Sequence, residues 1–440
     1  MFDMLPTFGR EPGTALTTFE LSVLFFLQLA IILAVCRLVG RLVARLGQPQ
    51  VVGEMIAGVV LGPSLFGLLL PETARWVFPS ESRPIIYAFS QVGVSLYMFL
   101  VGVEFDVGLI RSRLRSAASV SIAGMATPFV LGALLALTLD RSLGLFTHGV
   151  TSVEAALYLG AAMCITAFPM LARIIYERGL SGTSLGTLAL AAGSMDDAAA
   201  WCILAVVLAS FSDNVMVAGF AIGGGIGYAI FMLVCIRPML KPIGAMVERT
   251  GELTPTMLST LLCVAMLGAW FTDLIGIYAV FGAFIAGIAV PRGKLTEELQ
   301  RQLAPMVTVF LLPMFFIYSG LNTRITLVNT WTLWGVALVV LLAACLGKGV
   351  ACWAAARMHG EPRRDAVAIG ALMNARGLME LIILNIGLER GVITPRLFSI
   401  MVIMAIVTTL LATPVFEMVY GRTGSSRRML LRERETEAAR

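Results

Sequence analysis

The sequence has few charged residues and few of the side chains that usually perform catalysis. Charged residues make up 13% of its 440 positions, whereas soluble domains carry about 25%. Its two histidines, His148 and His359, lie in predicted loops, so we expect no metal site. Its seven cysteines have no C-x-x-C spacing and fall within apolar segments, which disfavours disulfides and redox motifs. No G-x-x-x-x-G-K-[ST] motif occurs, so we expect neither coupling to ATP nor a cofactor.

Long apolar runs dominate what is present. Hydrophobic residues account for 58% of the chain, and its mean hydropathy is +0.89. The runs last roughly 17–25 residues, the length that a helix needs to cross about 30 Å of hydrocarbon. They predict an all-α polytopic membrane protein with thirteen transmembrane helices, because a transmembrane barrel would need shorter, alternating segments. The predicted spans cover residues 18–37, 50–70, 85–104, 116–139, 152–172, 185–208, 214–236, 255–274, 276–291, 304–321, 331–356, 366–388 and 397–420.

Lysine and arginine are distributed unevenly between the connections of these spans. If the N-terminus lies outside, 23 of the 32 basic residues fall inside and seven outside, with only Lys348 and Arg376 within spans. The positive-inside rule requires such a bias, and an even number of spans would remove it. We therefore expect a multi-pass protein of a bacterial-type inner membrane with a cytoplasmic C-terminus. The net charge of +5 then reflects topology, and no nucleic-acid partner is expected.

An internal repeat is visible in two pairs of spans. The second span reads IAGVVLGP (56–63) and the ninth IAGIAVP (285–291), while the third ends MFLVGVEFD (98–106) and the tenth MFFIYSGLN (314–322). The copies are seven spans apart, so the second enters the membrane in the opposite direction. Inverted-topology repeats of this kind build many secondary transporters.

The same repeat pairs the fifth span with the twelfth, and both are interrupted near the middle. The fifth contains Thr166 and Pro169, and the twelfth contains Asn374, Arg376 and Gly377. Proline removes a main-chain donor and clashes with the preceding turn, and broken helices persist at membrane depth only within protein or beside a cavity. Paired breaks predict a transport site, although either break alone could be a tolerated kink.

Asp196 and Asp197 stand side by side in the middle of the sixth span. An ionised carboxylate in hydrocarbon costs several kcal/mol, so each acid must be protonated, paired or bound to a cation. Adjacent helical residues point about 100° apart, so one acid can face a cavity while the other faces a neighbouring helix. A carboxylate that holds either a proton or a small monovalent cation, but not both, is the minimal machinery of an antiporter. The alternative is a buried ion pair with no role in transport.

Three further charged residues lie well away from the ends of their spans. Lys348, in the eleventh span, either extends to the headgroups or neutralises Asp196 inside the bundle. Arg376 and Glu380 are four residues apart on the twelfth span. They form either a self-contained ion pair or part of the site, with Arg376 countering the carbonyl groups of a broken helix.

Four segments carry more specific motifs. They are GQPQVVGEMIAGVVLGPSLFG (47–67), ITAFPMLARIIYERGL with GTLALAAGSMDDAAAWCILA (165–205), VFGAFIAGIAVP (280–291) and MNARGLMELIILNIGLERGVI (373–393). Together they span nearly the whole membrane region, and they resemble the monovalent cation:proton antiporter superfamily. The likeness is closest to the branch of Kef-type carriers and plant and fungal cation/H⁺ exchangers, which have the sodium/hydrogen exchanger fold.

This resemblance implies a homodimer with two crossed, discontinuous helices, the fifth and the twelfth. It implies a dimerisation domain in residues 1–110 and 241–325, a linker helix in residues 211–240 and a core transport domain in residues 111–210 and 326–421, followed by a cytoplasmic tail at 422–440. The core domain would shift like an elevator against the dimerisation domain. Kef-type carriers also have a cytosolic nucleotide-binding domain after the last span, and we expect no gating by such a domain here.

The resemblance also assigns roles to individual residues. Asp197 would bind the cation and the proton, Asp196 would pair with Lys348, and Thr166 would lie at the unwound stretch. The expected function is therefore exchange of H⁺ for K⁺ or Na⁺, without enzymatic activity, and an intact acid pair leaves both cations open.

Three other functions are alternatives to antiport: a channel, a protease and a symporter. The first is a channel-like conduit for K⁺ efflux, which would conduct without obligatory proton exchange. An intramembrane aspartyl protease needs two acids on different helices facing one water, which adjacent residues on one helix do not provide. An organic-anion symporter is disfavoured because the acid pair would repel its substrate.

Overall fold

The computed structural model describes residues 16–48, 50–104, 114–139, 143–168, 183–210, 215–276 and 278–420, together with residues 171, 174, 175 and 180. Within these residues the chain is helical and contains no β-strand, and its single isolated bridge joins Phe146 to Ile393. The prediction of an all-α fold is confirmed. In chain order, the helices of the first half are α1 (Thr18–Arg45), α2 (Gln50–Leu61), α3 (Phe66–Leu69), α4 (Pro71–Val77), α5 (Arg83–Glu104), α6 (Leu114–Thr138), α7 (Ser152–Cys164) and α8 (Ser184–Ser210).

The second half continues with a similar series of helices. Two π-helical turns, Met232–Ile236 and Val307–Leu311, join α9 to α10 and α13 to α14 without a break in the helical path. The helices are α9 (Val215–Phe231), α10 (Arg237–Thr250), α11 (Pro255–Leu274), α12 (Ala279–Ala289), α13 (Lys294–Met306), α14 (Leu312–Asn322), α15 (Trp331–Met358), α16 (Arg363–Met373), α17 (Leu378–Glu389) and α18 (Pro395–Tyr420).

Nine helical segments of the described chain are long and apolar enough to cross a membrane, and α7 and α12 are shorter apolar helices. The total of thirteen spans stays a prediction. Two predicted boundaries differ from the structure for local reasons. The second span is helical only as far as Leu61, because Pro63 disfavours a helical conformation at Gly62. The tenth begins earlier than predicted, at Lys294, because its first turns carry polar residues that an apolar pattern does not include.

The chain divides into two compact units. Unit 1 contains residues 1–42, 53–104 and 220–324, and unit 2 contains residues 43–52, 105–219 and 325–440. Both are therefore discontinuous in sequence, and each draws on both copies of the predicted repeat.

Within unit 1, the repeat is visible in two close helix crossings. A Cβ atom added to Gly58 in α2 would lie 2.2 Å from the carbonyl oxygen of Phe316 in α14. One added to Gly287 in α12 would lie 2.1 Å from the carbonyl oxygen of Phe99 in α5. In the repeat, α2 corresponds to α12 and α14 to α5, so both copies make the equivalent contact. Only glycine allows the two backbones to approach this closely.

Unit 2 contains two corresponding crossings. A Cβ atom on Gly132 would lie 2.7 Å from the carbonyl oxygen of Leu159, so α6 lies directly against α7. A Cβ atom on Gly370 would lie 2.5 Å from the carbonyl oxygen of Gly349, which brings α15 equally close to α16. These close contacts fix the paths of α7 and α16, the helices that lead into the two predicted breaks.

The N-terminal end of α7, opposite the break, is also fixed in place. Helix α7 begins with a capping box, in which the Thr151 hydroxyl accepts from the Glu154 N–H and the Glu154 carboxylate accepts from the Thr151 N–H. The loop before it joins the segment after α17, where Thr147 N–H donates to Val392 O at 3.2 Å. A cap of this kind contributes about 1 kcal/mol and sets where α7 begins relative to α17.

Candidate functional site

The fifth and twelfth spans are each broken and cross each other at their breaks. Helix α7 ends at Cys164, and the chain is extended at Ile165. Helix α16 ends at Met373, and α17 starts at Leu378. The N–H of Ala167 donates to the carbonyl oxygen of Ala375 at 3.1 Å, which joins the two interruptions directly. The predicted pair of crossed, discontinuous helices is confirmed, while Pro169 lies outside the described residues.

A helix that ends inside a membrane leaves carbonyl groups without main-chain donors and carries partial negative charge at that end. Two cations meet the end of α7. The ammonium group of Lys348 donates to the carbonyl oxygen of Cys164. The guanidinium group of Arg376 donates to the carbonyl oxygen of Met163 at 2.6 Å. The end of α7 is thus stabilised by side chains from α15 and from the other break.

Arg376 therefore has both of the roles that the sequence left open, the ion pair with Glu380 and contact with the carbonyl groups of a broken helix. Besides the carbonyl group of Met163, its Nη1 atom lies 3.4 Å from Oε2 of Glu380, and both side chains are buried. Glu380 is one helical turn away on α17. The arginine consequently links the carbonyl end of one broken helix to a carboxylate on the other.

Asp196 lies at the centre of a second buried cluster. Its Oδ2 atom accepts a hydrogen bond from the Thr166 hydroxyl at 2.5 Å and lies 3.2 Å from Nζ of Lys348. Thr166, Asp196 and Lys348 are all fully buried. Lys348 thus points into unit 2 and does not extend to the headgroups. A charged pair with an added hydroxyl donor satisfies most of what a buried carboxylate requires.

Asp197 has a different environment. It is also fully buried, and neither of its carboxylate oxygens makes a hydrogen bond of regular geometry within the described part of the chain. The Asp196 carboxylate and the main-chain N–H of Phe168 contribute to its electrostatic surroundings. A buried carboxylate without a counter-ion is unfavourable by several kcal/mol unless it holds a proton or a cation.

Thr409 is a site residue that sequence reasoning missed. Its hydroxyl oxygen accepts from the Arg376 N–H at 3.1 Å and lies 2.7 Å from the Arg376 carbonyl oxygen. It therefore holds the main chain of the second break from α18. The pair Thr408–Thr409 lies midway along the thirteenth span, as Asp196 and Asp197 do along the sixth. That correspondence within the repeat was the available signal.

The repeat also relates the two break residues to each other. Thr166 follows Gly160 by six residues, and Arg376 follows Gly370 by six residues. Thr166 reaches a residue of the sixth span, Asp196, through its side chain, whereas Arg376 is reached by Thr409 of the thirteenth span. The two halves thus build similar frames, but only the first places a pair of adjacent carboxylates beside its break.

Crossed helix breaks lined by buried ionisable groups define a membrane protein of the secondary-transporter class. Comparison with known proteins gives the particular family. The sequence model described as "sodium/hydrogen exchanger, transmembrane" matches residues 29–420. The chain belongs to the sodium/hydrogen exchanger family, and the resemblance to cation:proton antiporters found in its motifs is confirmed.

Individual relatives and a solved structure agree with this assignment. The chain is 41% identical over 399 residues to the Na⁺/H⁺ antiporter NhaS4 of Synechocystis sp., covering 90% of this chain and 97% of that protein. It is 33% identical over 412 residues to the K⁺/H⁺ antiporter 1 of Saccharomyces cerevisiae, covering 90% of this chain but 46% of that longer protein.

The fold is similar to that of the sodium proton antiporter MjNhaP1 from Methanocaldococcus jannaschii. The TM-score is 0.56, and the match covers 93% of this chain and 99% of that one. The sequences are 14% identical, so this likeness concerns the fold alone.

Proposed function

We propose that the protein exchanges protons for a monovalent cation, K⁺ or Na⁺, and that Asp197 carries both in turn. The observation that supports this most directly is the charge of the buried cluster. Asp196, Asp197, Lys348, Arg376 and Glu380 are buried together within unit 2. If all five are ionised, their formal charges sum to −1. One proton or one monovalent cation neutralises that charge, and the two cannot bind the same carboxylate at once.

The neighbouring side chains give the two acids different roles in this proposal. Lys348 and Thr166 both contact Asp196 and compensate its negative charge. Among the residues that the structure describes, Asp197 has no such partner and is left as the exchangeable group. A desolvated carboxylate is a hard oxygen ligand suited to small cations, and Thr166 and Asp196 provide further oxygen atoms nearby. The ion is bound by side chains whose positions the two helix breaks determine.

Exchange also requires that Asp197 meet water from one side of the membrane at a time. Asp197 is fully buried in this conformation, so access depends on movement. In the proposed mechanism the core domain, residues 111–210 and 326–421, shifts like an elevator. The dimerisation domain, residues 1–110 and 241–325, stays fixed in a homodimer, with residues 211–240 as the linker. The protein resides in the inner membrane with its N-terminus outside and its C-terminal tail in the cytoplasm.

The choice between the two cations remains part of the proposal. The Synechocystis relative is described as a Na⁺/H⁺ antiporter and the yeast relative as a K⁺/H⁺ antiporter. This chain has 41% and 33% identity to them, respectively. Both ions are therefore expected substrates, and the first assay compares them side by side.

The test is exchange in reconstituted vesicles that carry a pH indicator inside. A proton gradient is imposed, Na⁺, K⁺ or Li⁺ is added, and the collapse of the gradient is followed at several pH values. We expect cation-dependent proton movement in the parent and none in Asp197→Asn. Asp273→Asn, which changes an exposed acid on α11, serves as the matched control and keeps parental exchange. Undiminished exchange by Asp197→Asn overturns the proposal, and cation current at equal pH without proton movement establishes a channel instead.

A further inference from the structure

A groove runs along the outer surface of unit 2 between α15 and α16. It encloses about 300 Å³. Its α15 wall includes Leu346, Val350 and Trp353, and its α16 wall includes Arg363, Val367 and Asn374. The walls are apolar over most of their length, and polar groups lie at both ends. The groove thus has apolar walls and a charged mouth. None of its lining residues belongs to the buried acid cluster.

The apolar wall faces outwards. Leu346, Val350 and Trp353 are 58%, 53% and 37% exposed. They lie on a helical segment, Trp331–Met358, with a mean hydropathy of 2.2 that is long enough to span a membrane. The medium around such a surface is hydrocarbon, so the molecules available to fill the groove are lipids.

The charged mouth and the apolar walls of the groove fit the two parts of one phospholipid. Arg363 is exposed at the start of α16, next to the polar connection HGEP at residues 359–362. Its guanidinium group matches the geometry of a phosphate. Asn374 is eleven residues further on, or about 16 Å along a helix. The distance allows a headgroup at the mouth and an acyl chain in the channel.

Two neighbouring arginines increase the positive charge at the mouth. Arg357 donates to the carbonyl oxygen of Glu361 at 2.7 Å, and Arg364 donates to the carbonyl oxygen of Val419 at 2.7 Å. Arg357 thus fixes the connection between α15 and α16, and Arg364 ties α16 to α18. With Arg363 they give three positive charges against the two acids of this segment, Glu361 and Asp365. Basic pockets between membrane helices favour anionic headgroups for this electrostatic reason.

We propose that an anionic phospholipid binds in this groove, with its phosphate on Arg363 and one acyl chain between α15 and α16. The groove touches the transport machinery at its deep end. Asn374 donates from Nδ2 to the carbonyl oxygen of Cys345 at 3.0 Å. Cys345 is one turn before Lys348, and Asn374 is two residues before Arg376. A lipid that holds α15 against α16 therefore stabilises the frame of both buried cations.

The test measures thermal unfolding of the full-length protein in lipid nanodiscs. Phosphatidylcholine discs are compared with discs that contain phosphatidylglycerol. Val350→Trp fills the groove, and Arg363→Gln removes the headgroup contact. Val339→Trp is the matched control, because Val339 is 48% exposed on the same helix and does not line the groove. Native mass spectrometry of each variant reports retained lipid and the oligomeric state.

We expect phosphatidylglycerol to raise the Tm of the parent and of Val339→Trp by about 3 °C or more. Val350→Trp and Arg363→Gln should unfold at the parental temperature in phosphatidylcholine and lose the increase. A full increase in both groove variants overturns the proposal. So does an equal increase produced by glycerol phosphate alone, or conversion of Val350→Trp from dimer to monomer, which would show a second copy in the groove. Because unfolding is the readout, the result does not depend on the proposed exchange activity.

Discussion

Lys348 and Asp196 form an ion pair in which both side chains are fully buried, with Nζ 3.2 Å from Oδ2. The pair removes Asp196 from the set of groups that are free to exchange their partner. What is left beside it is one carboxylate, Asp197, for which the described part of the chain provides no hydrogen-bonding partner. The asymmetry between two adjacent and chemically identical residues is thus created by α15 and by Thr166, and not by the acids themselves.

The first prediction concerns the stability that this pair provides. Lys348→Met leaves Asp196 charged and buried, which we expect to destabilise the protein by about 3–5 kcal/mol. The double variant Asp196→Asn/Lys348→Met should lose clearly less than the sum of the two single changes, since no charge is stranded. Chemical unfolding in detergent measures the three variants. Lys241→Met, at an exposed position on α10, is the control, and strictly additive losses would contradict a direct pair.

The second prediction concerns pH. If a proton and a cation compete for Asp197, as proposed, the apparent KM for the cation should fall as pH rises, by up to about tenfold per pH unit under simple competition. The maximal rate should change much less than KM over the same range. Initial rates of exchange at a series of cation concentrations and pH values decide this. A KM that is independent of pH would separate proton binding from cation binding.

The third prediction concerns Thr409. Thr409→Val removes the acceptor for the Arg376 N–H, so we expect a loss of about 1–3 kcal/mol in unfolding free energy. Displacement of the break should also slow exchange, by about tenfold for each 1.4 kcal/mol lost in the transition state. Thr409→Ser retains the hydroxyl and should recover both properties.

Thr138 supplies the control for this experiment. Its hydroxyl donates to the carbonyl oxygen of Leu134 on the exposed side of α6, so Thr138→Val removes a similar bond far from the breaks. If Thr138→Val and Thr409→Val slow exchange equally, Thr409 has no positioning role.

The fourth prediction concerns the close crossings of unit 1. Gly58→Ala and Gly287→Ala each place a methyl group within about 2.2 Å of a carbonyl oxygen, so both should lower the Tm substantially and to a similar extent. Gly227→Ala is the control, because an added Cβ there meets nothing within 4 Å. Unfolding of the three variants in the same detergent provides the comparison. A neutral result at Gly58 or Gly287 would show that the helices can separate without loss.

Much of this arrangement could be predicted from composition and pattern. The apolar runs predicted helices, and the proline and glycine residues of the fifth and twelfth spans predicted breaks, because both effects are local. The acid pair was conspicuous because an ionised carboxylate in hydrocarbon is energetically unfavourable and needs a partner or a function. The partner of Asp196 was left open by the charges alone, and only the resemblance to cation:proton antiporters implied Lys348.

Other features depend on three-dimensional placement and were not predictable. Threonine is common in membrane helices and satisfies itself by bonding to its own helix. The repeat could have singled out Thr409 by its position opposite the acid pair, but it did not indicate that Thr409 holds Arg376. Likewise, the sequence left two uses open for Arg376, and only the crossing of the breaks shows that it serves both. The earlier start of α13 was missed because its polar first turns resemble a connection.

The hydrogen bond from Ala167 N–H to Ala375 O has an evolutionary consequence. It connects two segments more than two hundred residues apart using main-chain atoms only, so it does not depend on a functional group in either side chain. This hydrogen bond is determined by the course of the main chain and not by a particular side chain. Side chains beside the crossing can therefore change, as long as their volume is accommodated, without removing the bond that ties the two half-helices together.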